Sequence, residues 1–222
     1  MMVLGISASP RGSRSETLKL VRAALNGAKS GGARVELIDL CKLRIEYCNA
    51  CGACYKKGRC IKKDDFQAVL AKILAADGLV VGSPNYFKSV TAQMKTMIDR
   101  MADAIHCQLL SGTYTVNLAT SGGLGQHRQV TDYLNTIMQN FGSFITGSAG
   151  VSIRSGRQAL KNTETKAFRL GEALVHDIKS KKTYRNQLKT LAENKKYFQN
   201  LVKMYKDVWH HEYDYWNRRN WK

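Results

Sequence analysis

Five short apolar runs rich in β-branched residues, separated by longer stretches with helical period, constrain this chain more than any other feature it has. The alternation is that of a parallel sheet covered by helices. A strand buried on both faces reads as a continuous apolar run, whereas a covering helix shows a single apolar stripe. The runs predict strands over 2–7, 33–39, 78–83, 113–120 and 144–152. Leu18, Val21, Leu25 and Ala28 recur at helical spacing between them. So do Val90, Met94, Met97, Ile98 and Met101, and later Val130, Leu134, Ile137 and Phe141. A five-stranded doubly wound α/β sheet is the expected fold. Ligands of such sheets bind beyond the carboxyl ends of the strands, where the winding reverses.

Beyond about residue 155 no strand is evident. The expected organisation is one domain over 1–155, carrying a cysteine-rich loop at 41–63, and a helical C-terminal extension over 156–222. In that extension Leu188, Leu191, Phe198, Leu201, Tyr205 and Trp209 predict one long amphipathic helix, and all three tryptophans lie there. It docks on its own domain or against another subunit. No apolar run approaches the roughly 20 residues that span a bilayer. The first apolar run ends at Ile6, too early for a secretory leader, so the expected location is cytoplasmic.

The first loop, Ser7 to Thr17, joins a strand to a helix and is crowded with hydroxyls, backbone donors and the guanidinium groups of Arg11 and Arg14. A helix start with free N–H groups and a positive dipole end suits a phosphate. The loop is neither a dinucleotide fingerprint nor a Walker loop, so a mononucleotide phosphate is expected, although Ser15 also reads as a plain helix N-cap.

Cys48, Cys51, Cys54 and Cys60 form C-x2-C-x2-C-x5-C. Three sulfurs at successive three-residue steps, closed by a fourth, suit one compact iron-sulfur cluster. Zinc held by four thiolates is the main alternative and empty thiols a further one. Disulfides do not suit a reducing cytosol. Cys41 and Cys107 fit no spacing and read as packed thiols.

Together these residues resemble the iron-sulfur flavoprotein branch of the flavodoxin-like NAD(P)H-dependent FMN reductase superfamily. The resemblance covers residues 1–153. It rests on Ser9-Pro10-Arg11 followed by Ser15-Glu16-Thr17, on the cysteine motif, on Ser83-Pro84-Asn85-Tyr86, on Lys95 to Arg100, and on Thr120-Ser121-Gly122-Gly123-Leu124-Gly125. It implies a flavodoxin-like sheet, an FMN phosphate held by Ser9, Arg11, Ser15, Glu16 and Thr17, and an isoalloxazine ring lined by Pro84, Asn85, Tyr86 and Phe87. Ser121, Gly122 and Gly123 would flank the ring's other side. It also implies a [4Fe-4S] cluster on Cys48, Cys51, Cys54 and Cys60, and a homodimer or homotetramer. Because the cysteine loop follows a strand, the cluster is expected on the flavin edge of the sheet. Lys95, Asp99 and Arg100 read as a helix-surface ion pair and a loop anchor.

The formal net charge of +18, from 35 Lys and Arg against 17 Asp and Glu, implies acidic partners. Lys42, Arg44, Lys56, Lys57, Arg59, Lys62 and Lys63 surround the cysteines, with Glu46 as the only acid between residues 41 and 63. An electron-transfer flavoprotein fed by an acidic ferredoxin-like donor is the leading expectation. The alternative is an NAD(P)H-dependent FMN or quinone reductase whose cysteines bind zinc or nothing. A nucleic-acid or membrane-surface module would use the basic tail, but the sequence carries no nucleic-acid motif and that reading leaves the flavin loops unexplained.

Overall fold

The computed structural model describes residues 1–222. Strands β1 (Met2–Ser7), β2 (Arg34–Asp39), β3 (Gly78–Pro84), β4 (Tyr114–Ser121) and β5 (Phe144–Ser152) form one parallel sheet in the order β2-β1-β3-β4-β5. Each boundary falls within one residue of the sequence expectation. The winding reverses between β1 and β3, as in flavodoxin-type sheets.

The helices are α1 (Glu16–Ser30), α2 (Ala53–Lys57), α3 (Phe66–Leu74), α4 (Ala92–Arg100), α5 (Ala102–His106), α6 (His127–Asn140), α7 (Gly156–Ser180), α8 (Arg185–Met204) and α9 (His210–Asn217). Strand side chains alternate between two apolar layers. Leu4, Ile6, Leu79 and Val81 face α3, α4 and α6, where they meet Phe66, Ile73, Met97 and Leu134. Val3, Val80, Val116 and Leu118 face α1 and α7, among Leu20, Val21, Ala167 and Leu174.

The helical extension expected from residue 156 thus begins with a helix that closes the second face of the sheet, and the core runs on to α7. The two helices of that face touch through small residues. A Cβ built on Gly27 would stand 1.9 Å from the Phe168 carbonyl oxygen, and one built on Gly171 would stand 1.8 Å from that of Ala24.

The expected single long helix of the tail is divided. α8 ends at Met204, and the chain turns through 205–209, where the N–H groups of Val208 and Trp209 both donate to the Tyr205 carbonyl. α8 packs on α5 and α6, and α9 packs on α2. Trp216 is buried and its indole N–H donates to the His106 carbonyl at 3.1 Å, so this tryptophan docks on its own chain.

The two sheet edges differ. At β5 the buried Gln187 amide donates to the Ile145 carbonyl at 2.8 Å and accepts the Ile145 N–H at 2.9 Å, mimicking a neighbouring strand and sealing that edge. At β2 the edge is open. Beside it runs the largest cavity, about 450 Å³, lined in part by Arg22, Glu36, Lys42 and Lys72 and by none of the residues the sequence assigns to cofactors.

Candidate cofactor sites

Beyond the carboxyl ends of β1, β3 and β4 lies a cleft of about 200 Å³. It is lined by Ser9, Arg11, Ser15, Glu16, Thr17, Pro84, Asn85, Tyr86, Ser121 and Gly122, which are ten of the twelve residues assigned to FMN from the sequence, and by Thr120 and Ile153. Ser15 is the N-cap of α1, where its hydroxyl oxygen accepts the Leu18 N–H at 3.0 Å. That bond occupies a lone pair and leaves the hydroxyl proton free to donate. The Arg11 side chain is exposed and makes no hydrogen bond or ion pair with the protein. Glu16 is held by Lys19 at 2.8 Å, so its contribution to an anion site is the backbone N–H of a first helical turn. Thr17 and Thr120 share a buried hydroxyl–hydroxyl hydrogen bond of 2.6 Å that ties the first loop to the end of β4.

The loop after β3 is fixed from beneath. The Thr91 hydroxyl donates to the Ala8 carbonyl at 2.8 Å, the Ser83 hydroxyl accepts the Thr91 N–H at 3.1 Å, and the Asn85 N–H donates to the Thr120 carbonyl at 2.7 Å. Tyr86 and Ser89 then exchange two backbone hydrogen bonds across Phe87 and Lys88, which both have positive φ, 48° and 66°. This tight reversal holds the Phe87 ring fully exposed at its tip, outside the cleft. Gly123 also lies outside the cleft lining. Its carbonyl accepts the Ser121 hydroxyl at 2.6 Å. Thr120 ends a strand and was within reach of sequence reasoning, whereas Ile153 comes from the turn after β5 and carries no motif.

Cys48, Cys51, Cys54 and Cys60 line one small cavity together with Tyr55, Lys62, Asp99 and Arg100. Its position corrects the sequence expectation. The loop leaves the sheet at the carboxyl end of β2, but its cysteines gather at the far end of α4, nine residues and about 14 Å of helix from the loop that enters the cleft. Arg100 decides where the loop lands. Its guanidinium grips the Asp64 carboxylate with both terminal nitrogens, at 2.8 and 3.2 Å, and donates to the Glu46 carbonyl at 2.7 Å and to the Cys60 sulfur at 3.2 Å. Asp64 also accepts the N–H groups of Glu46 and Phe66, and both side chains of the pair are buried. Burial alone would raise the Asp64 carboxyl, but these hydrogen bonds hold it at about 2. Lys95 and Asp99 form the expected ion pair one turn away.

The tail walls the other side of the cysteines. Tyr55, next to Cys54, stacks on His106 and lies against Trp209, with ring centroids 5.1 and 4.6 Å apart. Burial pushes the Cys54 thiol up to about 12.

The chain is similar in sequence to known proteins along its whole length. The family described as NADPH-dependent FMN reductase matches residues 1–158. An iron-sulfur flavoprotein of Archaeoglobus fulgidus is 30% identical over 220 residues, covering 99% of both chains. An iron-sulfur flavoprotein of Methanocaldococcus jannaschii is 39% identical over 127 residues, which span 55% of this chain and 65% of that one. The NAD(P)H:quinone oxidoreductase of Methanothermobacter marburgensis shares the fold, with a TM-score of 0.64 at 19% identity over 78% of this chain and 96% of the other. No helix is long and apolar enough to cross a membrane. The chain therefore belongs to the NADPH-dependent FMN reductase family, in its iron-sulfur flavoprotein branch, and is an FMN-dependent oxidoreductase.

Proposed function

We propose that the cleft holds FMN, that Cys48, Cys51, Cys54 and Cys60 hold a [4Fe-4S] cluster, and that the protein accepts electrons from an acidic ferredoxin-like donor. The observation that carries this reading is convergence, since residues assigned from three separate loops meet in one cleft. The free Ser15 hydroxyl proton, the unpaired Arg11 guanidinium and the first-turn N–H groups of α1 suit a phosphate. Pro84, Asn85 and Tyr86 form one wall for a flat ring and Ser121 and Gly122 the other, with Phe87 and Gly123 just outside. A Cβ on Gly122 would meet nothing within 4 Å, so the wall there is open to a ligand.

Two observations support iron-sulfur over zinc. Four thiolates on one Zn²⁺ stand about 3.8 Å apart, from Zn–S bonds of about 2.3 Å. Among the Cys, His, Asp and Glu side chains, a single trio brings its ligand atoms within 4.8 Å of one another, and it contains none of these four cysteines. They share the lining of one small cavity instead, spread more widely than one zinc would hold them. When bound, FMN supplies two-electron chemistry and the cluster one-electron chemistry. The chain's own residues would hold each in its own place, one in the cleft beyond β1, β3 and β4 and the other at the end of α4. Tyr86, Phe87 and Leu124, all exposed at the mouth of the cleft, suit coverage by a second copy of this chain in a homodimer or homotetramer.

Protein purified without oxygen is expected to be brown and to contain FMN, iron and sulfide. Replacing Arg11 and Ser15 together with alanine is expected to weaken FMN retention at least about tenfold, as loss of one charge-assisted and one neutral hydrogen bond implies. Replacing Cys51 with serine is expected to abolish the cluster's visible absorption and spare the flavin. Stoichiometric zinc in place of iron would overturn the cluster assignment, and undiminished FMN affinity in the double variant would overturn the phosphate site.

The donor's charge follows from the basic loop. Reduction by a reduced ferredoxin is expected to slow as salt rises from 0.02 to 0.5 M, since screening acts over about 10 Å at 0.1 M. The slope is expected to flatten when Lys56, Lys57 and Arg59 are neutralised. Faster reduction by NADPH than by ferredoxin would instead favour a reductase fed by a nicotinamide.

A further inference from the structure

Beside the cysteine loop, Asp103 and Cys107, four residues apart on α5 and the turn after it, meet His211 of α9. The Asp103 carboxylate oxygen Oδ1 lies 3.6 Å from His211 Nε2 and 3.9 Å from the Cys107 sulfur. All three ligand atoms stand within 4.8 Å of one another, the trio described above. Cys107 is fully buried, and the Asp103 side chain is largely so.

We propose that Asp103, Cys107 and His211 form a second metal site, for a zinc-class divalent cation, that clips the C-terminal helix α9 to α5. Carboxylate, thiolate and imidazole are the donors zinc takes, and their bond lengths of about 2.0 to 2.3 Å in a tetrahedron put neighbouring ligand atoms about 3.3 to 3.6 Å apart. The observed 3.6 and 3.9 Å are within a few tenths of that. The 3.6 Å between His211 and Asp103 is also too long for a direct N–H···O hydrogen bond, which falls near 2.7 to 3.2 Å.

The carboxylate makes the same point. Asp103 receives no N–H or guanidinium hydrogen bond; its neighbours are His211 Nε2 at 3.6 Å and the weak S–H donor of Cys107 at 3.9 Å. A buried carboxylate so poorly partnered is costly, and a divalent cation between the three groups would satisfy it. Nearby Glu212 is already engaged, since it accepts from His106 Nδ1 at 3.0 Å. The His211 ring is set in place by Gly58 of the cysteine loop, where a Cβ would fall 2.4 Å from the ring. Three protein ligands leave a fourth position for water.

The test is a double dissociation in full-length protein purified without oxygen, exposed to Zn²⁺, desalted, and assayed for zinc, iron and FMN together. The parent and Cys51→Ser are expected to keep about one zinc per chain. Cys107→Ser and His211→Gln are expected to lose it, with iron and FMN unchanged from the parent. His211 is partly exposed, so His211→Gln decides the matter if Cys107→Ser fails to fold. A parent that retains no zinc overturns the proposal. So does zinc lost in Cys51→Ser and kept in His211→Gln, which would put it on the cysteine loop. Iron lost from a folded Cys107→Ser protein also overturns it, because Cys107 would then belong to the cluster.

Discussion

Replacing Arg100 with alanine is expected to lower the unfolding free energy by about 3 to 5 kcal/mol, because it strands the buried Asp64 carboxylate without its counter-charge. The same change removes the donors to Glu46 and Cys60 that seat the cysteine loop. Cluster content is therefore expected to fall while FMN retention survives in whatever fraction folds. The effect depends on pH, and its sign follows from Asp64. In the parent its carboxyl is held at about 2, below its ordinary 3.8, so the pair's contribution is complete above about pH 4 and is lost as pH falls through 2. In the variant a buried carboxyl without a cation titrates above its ordinary value and is neutral in acid. The parent–variant difference is expected to be largest near neutrality and to shrink as pH approaches 3. Urea unfolding of both proteins at pH 7 and pH 3.5 measures it. A difference that grows in acid would show that the guanidinium is not what Asp64 depends on.

Gly171→Val is expected to cost about 3 kcal/mol or more, since even a Cβ at this position overlaps the backbone of α1 and that backbone has nowhere to go. The alanine variant is the sharper measurement. In an exposed helix, alanine is preferred over glycine by about 1 kcal/mol. Here Gly171→Ala is expected to destabilise, reversing the sign that helix propensity alone would give. Denaturant midpoints of the two variants check both statements. A stabilised alanine variant would mean that α1 and α7 do not approach as closely as described.

How much of this was legible in the sequence depended on how local the cause was. β1, β3 and β4 were readable to within one residue because their apolar runs are buried on both faces, and the partly buried edge strands β2 and β5 because turns bound them. α7 was not recognised as part of the sandwich. Its closest approach to α1 is made at Ala167 and Gly171, beside Leu174 and Val175, and the value of small residues in such a contact is not announced by an apolar pattern. The break at Tyr205 was also hidden, since the apolar spacing carries on through it. For the cysteine loop, the strand it follows told where the chain leaves the sheet. Where it arrives is set by Arg100 and Asp64, 36 residues apart. The exposure of Phe87 was hidden for a different reason, because it comes from two successive non-glycine residues at positive φ, which composition does not announce. Asp103, Cys107 and His211 meet only because α9 folds back over α5.

That fold-back has a consequence for how the protein is made. Every element that lines the flavin-side cleft has left the ribosome once Ile153 has emerged, and α7 follows soon after to close the sheet. The wall of the cysteine site formed by Trp209 and α9 is synthesised after all of these. Chains fold from the N-terminus as they are translated. The sheet and its two helical layers are thus complete while the cysteines still stand open on one side, and the cysteine loop acquires its finished surroundings only once α9 has emerged.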